Sequence, residues 1–425
     1  MARIKTILVQ KSEKQVKVVP IPGWYLDLTI DVDAETALEG IRQHFLKRWT
    51  AKVHALQWVF PEDIFPPPRQ ELASFLVVLV EDIGKVPVES THENVPSEEL
   101  SPFLLAAVNP SACEPWSLPN WLHDLSTWIE IHFRATRQIS QTRTCPNGAV
   151  VRIDCREGSY YLKTQSSALA YESALLRILS QRMPGTCPPI LPITPDMNTH
   201  ITQAIEGHLV NAGDSPSDWS ATLRDVARFQ IGSLDSVKEL CNAGIPCRHH
   251  TLLETNLDEI LCNAVSLQAN APNGLKPNEL RNLERLRTSM GPDFETLNRC
   301  GLPASLIHGD LNQSNVLKGT SGRTVLIDWA LSRITHPFFT LGSALFASTR
   351  RNLPGYEASC DAYLEPWFDF GSLDRLRAVL DAASRLFWLD STIAICSLCQ
   401  PGHVRNLINL PRFLRATLNA YRLLV

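Results

Sequence analysis

The chain has 425 residues, enough for two or three domains at about 150 residues each. Hydrophobic residues make up 44% and charged residues 20%, which excludes a disordered or low-complexity chain. Lys+Arg total 40 against 44 Asp+Glu, a net charge of -4, so no basic excess exists to neutralise phosphates and nucleic acid is not an expected main partner.

The cations are unevenly chosen: 11 Lys stand against 29 Arg, and between Lys85 and Lys238 the only lysine is Lys163. The opening residues lack the long apolar run and small-residue cleavage site of a signal peptide. No stretch approaches 18 uninterrupted apolar residues, so no membrane span or membrane partner is expected. The 11 cysteines are odd in number and scattered, as reduced thiols of a cytoplasmic protein would be. Cys396-x-x-Cys399 sits in an apolar run with no second such pair, and reads as buried small residues.

Residues 1–112 read as a small accessory α+β domain. Apolar runs at Ile4–Val9, Val53–Phe60 and Phe75–Val80 predict strands, and Ala34–Lys47 predicts a helix. The polar, proline-bearing stretch 86–102 reads as a surface loop or linker. Trp116–Phe133 predicts a bridging amphipathic helix, with Asn120 as N-cap and Trp121, Leu125, Trp128 and Ile129 on one face. Three strands follow, at Ile139–Thr144, Val150–Asp154 and Tyr160–Lys163, joined by turns rich in Pro, Asn and Gly.

A helix over Ser167–Arg182 places Glu172 on its apolar face with Ala168, Leu175 and Leu179. A carboxylate there is costly to bury unless a cation meets it, and Lys163 is the nearest candidate. Further strands are expected at Ile190–Ile193 and His200–Ile205, closing a lobe over 113–207. From 208 onward helices dominate, at Asp218–Ile231, Leu253–Leu267 and Pro277–Met290. Glu357, Asp361, Glu365 and Asp369 recur every four residues and read as a solvated face.

The segment from Ser305 to Trp329, SLIHGDLNQSNVLKGTSGRTVLIDW, carries the chemistry. It predicts a short strand, a polar loop, a strand Asn315–Lys318 and a strand Thr324–Asp328. Asp310, Asn315 and Asp328 stand at strand ends, where side chains converge. A carboxylate with an amide oxygen is a hard-cation set suited to Mg²⁺, which takes its other ligands from phosphates and water. A carboxylate set back in the loop can accept a proton from a hydroxyl.

This segment resembles the catalytic and metal loops of the aminoglycoside phosphotransferase/choline kinase group, over residues 115–425. The resemblance implies an α+β, protein-kinase-like bilobal fold: a five-stranded antiparallel N-lobe and a mainly helical C-lobe, preceded here by the small α+β domain. It implies transfer of the γ-phosphate of ATP to a hydroxyl of a small molecule, with aminoglycoside-, choline- and sugar-like acceptors all open. The His308-Gly-Asp310 loop would be catalytic, with Asp310 as base, and Asn315 and Asp328 would bind Mg²⁺. Lys163 would grip the α/β-phosphates, oriented by Glu172, and the backbone near Gln203, Ala204 and Ile205 would meet adenine. The absence of a GxGxxG loop counts against a protein kinase. Thr340 stands where the group often has Asp, which leaves one contact of that loop in question. Asp+Glu do not exceed Lys+Arg over 241–425, so no acidic acceptor pocket is legible. The alternative is a catalytically idle kinase-like binding module.

Overall fold

The structure, a computed structural model, describes residues 2–11, 16–19, 26–30, 37–59, 75–87, 114–118, 120–145, 147–210, 216–249, 275–342, 355–398 and 404–423, with 251, 253 and 257. Cys399, most of the helix expected over Leu253–Leu267 and nearly all of the stretch 86–102 lie outside them. The chain divides into two compact units. The first comprises 1–170, 191–204 and 398–408, and the second 171–190, 205–397 and 409–425.

In the first unit, β1 (Ala2–Lys11) runs parallel to β5 (Phe75–Asp82). It is antiparallel to β2 (Val16–Val18) and β3 (Leu26–Ile30), and β5 pairs with β4 (Lys52–Val59). Helix α1 (Ala37–Trp49) buries Leu38, Ile41 and Phe45, the i, i+3, i+7 stripe, against Leu8, Val53, Val78 and Val80. β1, β4, β5 and α1 match the expected elements within two or three residues at each end, while β2 and β3 were not expected from the sequence.

The same unit holds the meander β6 (Thr136–Cys145), β7 (Gly148–Cys155), β8 (Gly158–Gln165) and β9 (Thr199–Gln203), antiparallel in that order. It abuts the first sheet: Gln141 on β6 is buried and its Nε2 donates to the Ala55 carbonyl at 3.0 Å. Among the described residues this sheet counts four strands where five were expected. The segment around Ile190–Ile193 contributes a single backbone bond, from Leu191 N–H to the Ile201 carbonyl at 2.8 Å. Pro188, Pro189 and Pro192 flank and interrupt it, and each removes a ladder donor.

Helix α2 (Trp121–His132) covers one face of the meander. Its buried stripe is Leu122, Leu125 and Ile129 against Val151, Ile153, Leu162 and Ile201, with Trp121 and Trp128 at its flank and only partly buried. Asn120 precedes the helix as expected but caps nothing with its side chain. Its backbone is left-handed, with φ 65°, and its N–H donates to Glu81 Oε1 at 2.8 Å.

The second unit is mainly helical. It contains α3 (Tyr171–Arg182), α4 (Pro216–Gly232), α5 (Val237–Asn242), α6 (Pro277–Arg299), α7 (Tyr356–Leu364) and nearly all of α8 (Leu373–Leu398). It also takes most of α9 (Val404–Ala420). Its core is built on Trp329, Trp367, Tyr363, Phe338 and Phe339, all essentially inaccessible. Helix α6 runs nine residues beyond the expected end, straight through Pro292. Proline inside a helix costs about 3 kcal/mol. Burial of Phe294 and Leu297, and the pair of ion bonds from Arg385 to Asp293 at 2.6 and 2.8 Å, offset that cost. Among the described residues no helix is long and apolar enough to cross a membrane.

The strands that position the site are short. Strand β10 (Gly207–Leu209) pairs with β12 (Val316–Gly319), which pairs with β13 (Thr324–Leu326). Separately, β11 (Ser305–Ile307) pairs with β14 (Arg333–Thr335). The α+β fold class read from the sequence stands, whereas the compact units group residues 1–112 with the meander and residues 171–190 with the helical part.

Candidate active site

The loop His308–Asn312 leaves β11 and ends in a short 3-10 turn, Gln313–Asn315, that leads into β12. Asn312 caps this turn, its Oδ1 accepting from the Ser314 N–H at 2.9 Å. Local chemistry explains the turn, since Asn readily bonds backbone two residues on.

The same Asn312 reaches back, and its Nδ2 donates to Asp310 Oδ1 at 3.1 Å. Asn315 Nδ2 donates to the other carboxylate oxygen, Asp310 Oδ2, at 3.1 Å, and to the Asp310 carbonyl at 2.9 Å. The Asp310 carboxylate is thus held at both oxygens, each retaining lone-pair capacity for another donor. With its amide nitrogen committed to Asp310, Asn315 has its Oδ1 left for a further interaction.

Asn315 also ties this loop to the strand that ends at Asp328. Its carbonyl accepts from Ile327 N–H at 3.0 Å, and Val316 registers with Leu326 across the ladder. Asp328 has a left-handed backbone, with φ 63° and ψ 63°, an uncommon state for a residue other than glycine. Such strain persists only where surroundings over-determine it. Here they do: Trp329 is wholly buried, its Nε1 donates to the Leu326 carbonyl at 2.9 Å, and its backbone N–H donates to Glu172 Oε1 at 2.8 Å. The next residue's carbonyl, Ala330 O, accepts from the Tyr171 hydroxyl.

Glu172 is therefore buried, as its place on the helical wheel predicts, at 1% exposure. Its backbone partner is the amide that follows Asp328. Lys163 lies on β8 in the first unit, registered between Val150 and His200. Gln203 ends β9 and pairs with Tyr160, while the Ala204 N–H is already given to the Ser159 carbonyl at 2.9 Å. Ile205 belongs to the second unit.

His308 is buried and donates through Nε2 to the Ile327 carbonyl at 2.9 Å. That bond fixes the tautomer and leaves Nδ1 as the unprotonated nitrogen, without a hydrogen-bond partner among the described residues. Burial lowers the His308 pKa from its usual value, against the opposing pull of Asp310 and Asp328, so the ring is neutral. Its position braces the strand entering Asp328.

Gly309 is required by its surroundings. Its φ is +83°, and a Cβ there would lie 2.0 Å from the Leu331 carbonyl oxygen. Leu331 O in turn accepts from Arg333 Nη1 at 3.0 Å. Arg333 is buried at 3% exposure and ion-paired with Asp390 of α8, itself 1% exposed, with Nε donating to Oδ2 at 2.9 Å. The Ser332 hydroxyl adds a bond to the His308 carbonyl at 3.2 Å. The loop thus docks on 331–333, which the buried pair anchors.

Thr340, in question from the sequence, is buried and its hydroxyl has no hydrogen-bond partner among the described residues. The neighbouring segment is held instead by Gln230, whose Nε2 donates to the Pro337 carbonyl at 3.0 Å and whose Oε1 accepts from Tyr363 at 2.6 Å.

Sequence reasoning missed Asn312, Arg333 and Asp390. The amide spacing Asp310-x-Asn312-x-x-Asn315 was a usable signal for the first. Nothing in the spacing of Arg333 and Asp390, 57 residues apart, announces a pair. The acidic stripe is a salt-bridged surface in part, since Asp361 pairs with Arg377 and Glu365 with Arg224.

The family described as "Phosphotransferase enzyme family" matches residues 147–378, more than half of the chain. No curated protein matches the sequence. Three solved structures illustrate the similarity. The aminoglycoside phosphotransferase APH(2'')-Ib, ADP-bound, is 14% identical, with 70% of this chain and 97% of that one covered and a TM-score of 0.49. The macrolide 2'-phosphotransferase MphH from Brachybacterium faecium is 15% identical, with 69% and 98% covered and a TM-score of 0.47. The choline kinase LicA from Streptococcus pneumoniae is 12% identical, with 69% and 98% covered and a TM-score of 0.46.

Proposed function

Because the chain belongs to the phosphotransferase enzyme family, we propose that it transfers the γ-phosphate of ATP to a hydroxyl of a small molecule, with Asp310 as the base. The observation that carries this reading is the Asp310 carboxylate, fixed at both oxygens by Asn312 and Asn315 while Asn315 is tied to the strand ending at Asp328.

The parts take the following roles. Asp310 orients the acceptor hydroxyl and accepts its proton. The acceptor oxygen forms a bond to the γ-phosphorus as the bond to the β–γ bridging oxygen breaks, and ADP leaves with that oxygen. Such a reaction depends on positioning and charge neutralisation more than on covalent help. Lys163 grips the α/β-phosphates and Glu172 orients it. Gln203, Ala204 and Ile205 would lie beside the adenine, with the Ala204 N–H already given to the Ser159 carbonyl. His308 acts as a positioning residue, through the Ile327 carbonyl.

The side-chain oxygen Oδ1 of Asn315, left over once its Nδ2 is given to Asp310, and the Asp328 carboxylate make an all-oxygen set that fits Mg²⁺. Among the described residues no group of three or more His, Cys, Asp or Glu forms a metal cage, so phosphate and water would complete the coordination. When bound, the ion supplies neutralisation of phosphate charge. In this reading residues 113–207 would serve the nucleotide and 208–425 the acceptor, with 1–112 accessory.

The test is Asp310→Asn. An amide keeps the shape but cannot take the proton, so turnover should fall by roughly 10²–10⁴-fold while nucleotide affinity stays within about threefold. The assay is ³¹P detection of product across aminoglycoside, choline-like and sugar acceptors. Undiminished turnover in the variant would remove Asp310 from the role.

A further inference from the structure

The meander carries a second feature on the face away from Lys163. Side chains alternate along β8, so Leu162 and Thr164 project to one face and Lys163 to the other. Thr164 registers with Thr199, and Leu162 with Ile201 under α2. Where α2 and this face do not close, a cavity of about 280 Å³ remains, lined wholly by residues of the first unit.

Its chemistry is specific. Trp121 and Trp128, at i and i+7 on α2, supply two indole walls, with Leu125 between them. Asp124 and Asp196 supply two carboxylates, and no Lys, Arg or His lines the cavity. Asp196 is oriented by bonds to its Oδ1 from Asn198 N–H and the Thr199 hydroxyl, both at 2.8 Å. Neither carboxylate meets a cation among the described residues. Thr164, 1% exposed, lines the cavity with a hydroxyl that has no hydrogen-bond partner among the described residues. Two indole rings, of which Trp128 is backed by the stacked His132, two carboxylates with no cation partner among the described residues and an unused hydroxyl suit one ligand chemistry: an apolar body bearing a positive charge.

We propose that this cavity is a binding site for a small organic cation, an amine or quaternary ammonium with an apolar group, separate from the phosphotransfer site. Neither the lining residues nor their chemistry enters the phosphoryl-transfer reading, so the two stand or fall apart.

The test is calorimetric titration of the full chain with 2-phenylethylammonium and, as its neutral counterpart, 2-phenylethanol. The ammonium should bind about tenfold more tightly than the alcohol. Asp124→Asn, at an exposed position that leaves the fold intact, should weaken ammonium binding by about threefold or more, and Trp128→Leu by about tenfold. Asp310→Asn should leave it unchanged. Equal affinity for ammonium and alcohol, or no binding of the ammonium, overturns the proposal. So does affinity that survives Asp124→Asn, or that falls with Asp310→Asn.

Discussion

The loop region 305–335 and the face of the meander under α2 are held by opposite means. In the loop region the contacts around the Asp310 loop and Asp328 are polar and directional, set over a buried apolar layer that includes Leu306, Ile307 and Trp329. Asp310 is gripped by two amides, the Trp329 N–H meets Glu172, and the Leu331 carbonyl meets Arg333, which is locked to buried Asp390. Three residues there, Gly309, Gly322 and Asp328, sit at positive φ. Under α2, by contrast, Leu122, Leu125, Ile129, Val151, Ile153, Leu162 and Ile201 meet by shape and hydrophobicity alone. The first arrangement has one solution. The second tolerates a void, and has one. A reacting carboxylate must be held to within a fraction of an ångström, which directional bonds can do and interchangeable methyl groups cannot.

The contrast can be broken most sharply at Arg333→Leu. Removing one member of a buried pair strands the other charge, so unfolding in urea should show a loss of about 3–5 kcal/mol, with turnover falling too. A loss under about 1 kcal/mol would mean the loop does not hang on this pair. Glu172→Ala should cost about 1–3 kcal/mol, because the buried Trp329 N–H loses its acceptor; thermal unfolding against wild type measures it, and an unchanged transition would locate the Asp328 strain elsewhere. The smallest effect is expected across the divide. Leu162→Met keeps volume in the apolar layer and should cost less than about 1.5 kcal/mol, with turnover unaffected. A larger loss there would erase the distinction between the two regions.

Much of the loop region was legible because its constraints are local. Asp310, Asn315 and Asp328 are recognisable at strand ends, and the inward Glu172 follows from helical periodicity alone. The meander announced itself through its turn residues. What was illegible depended on distant partners. The expected helix end near Met290 ignored the packing that carries α6 through Pro292, and the expected cap at Asn120 ignored Glu81, which draws its N–H. The fifth strand was over-read from apolar content where prolines deny the ladder its donors.

Lys163 shows where the boundary falls. The sequence by itself determined that one lysine would stand in a long lysine-free stretch, on the third strand of a meander, because composition and two-residue alternation are written locally. It also determined the helix that bears Glu172 and the loop that bears Asp310. Only the tertiary structure decided that Glu172 receives the amide after Asp328, that Arg333 and Asp390 meet beneath the loop, and that α2 leaves an acidic, indole-walled space on the far side of the sheet. Each of those facts is a meeting of segments far apart in the chain, and no local pattern encodes which distant side chain will arrive.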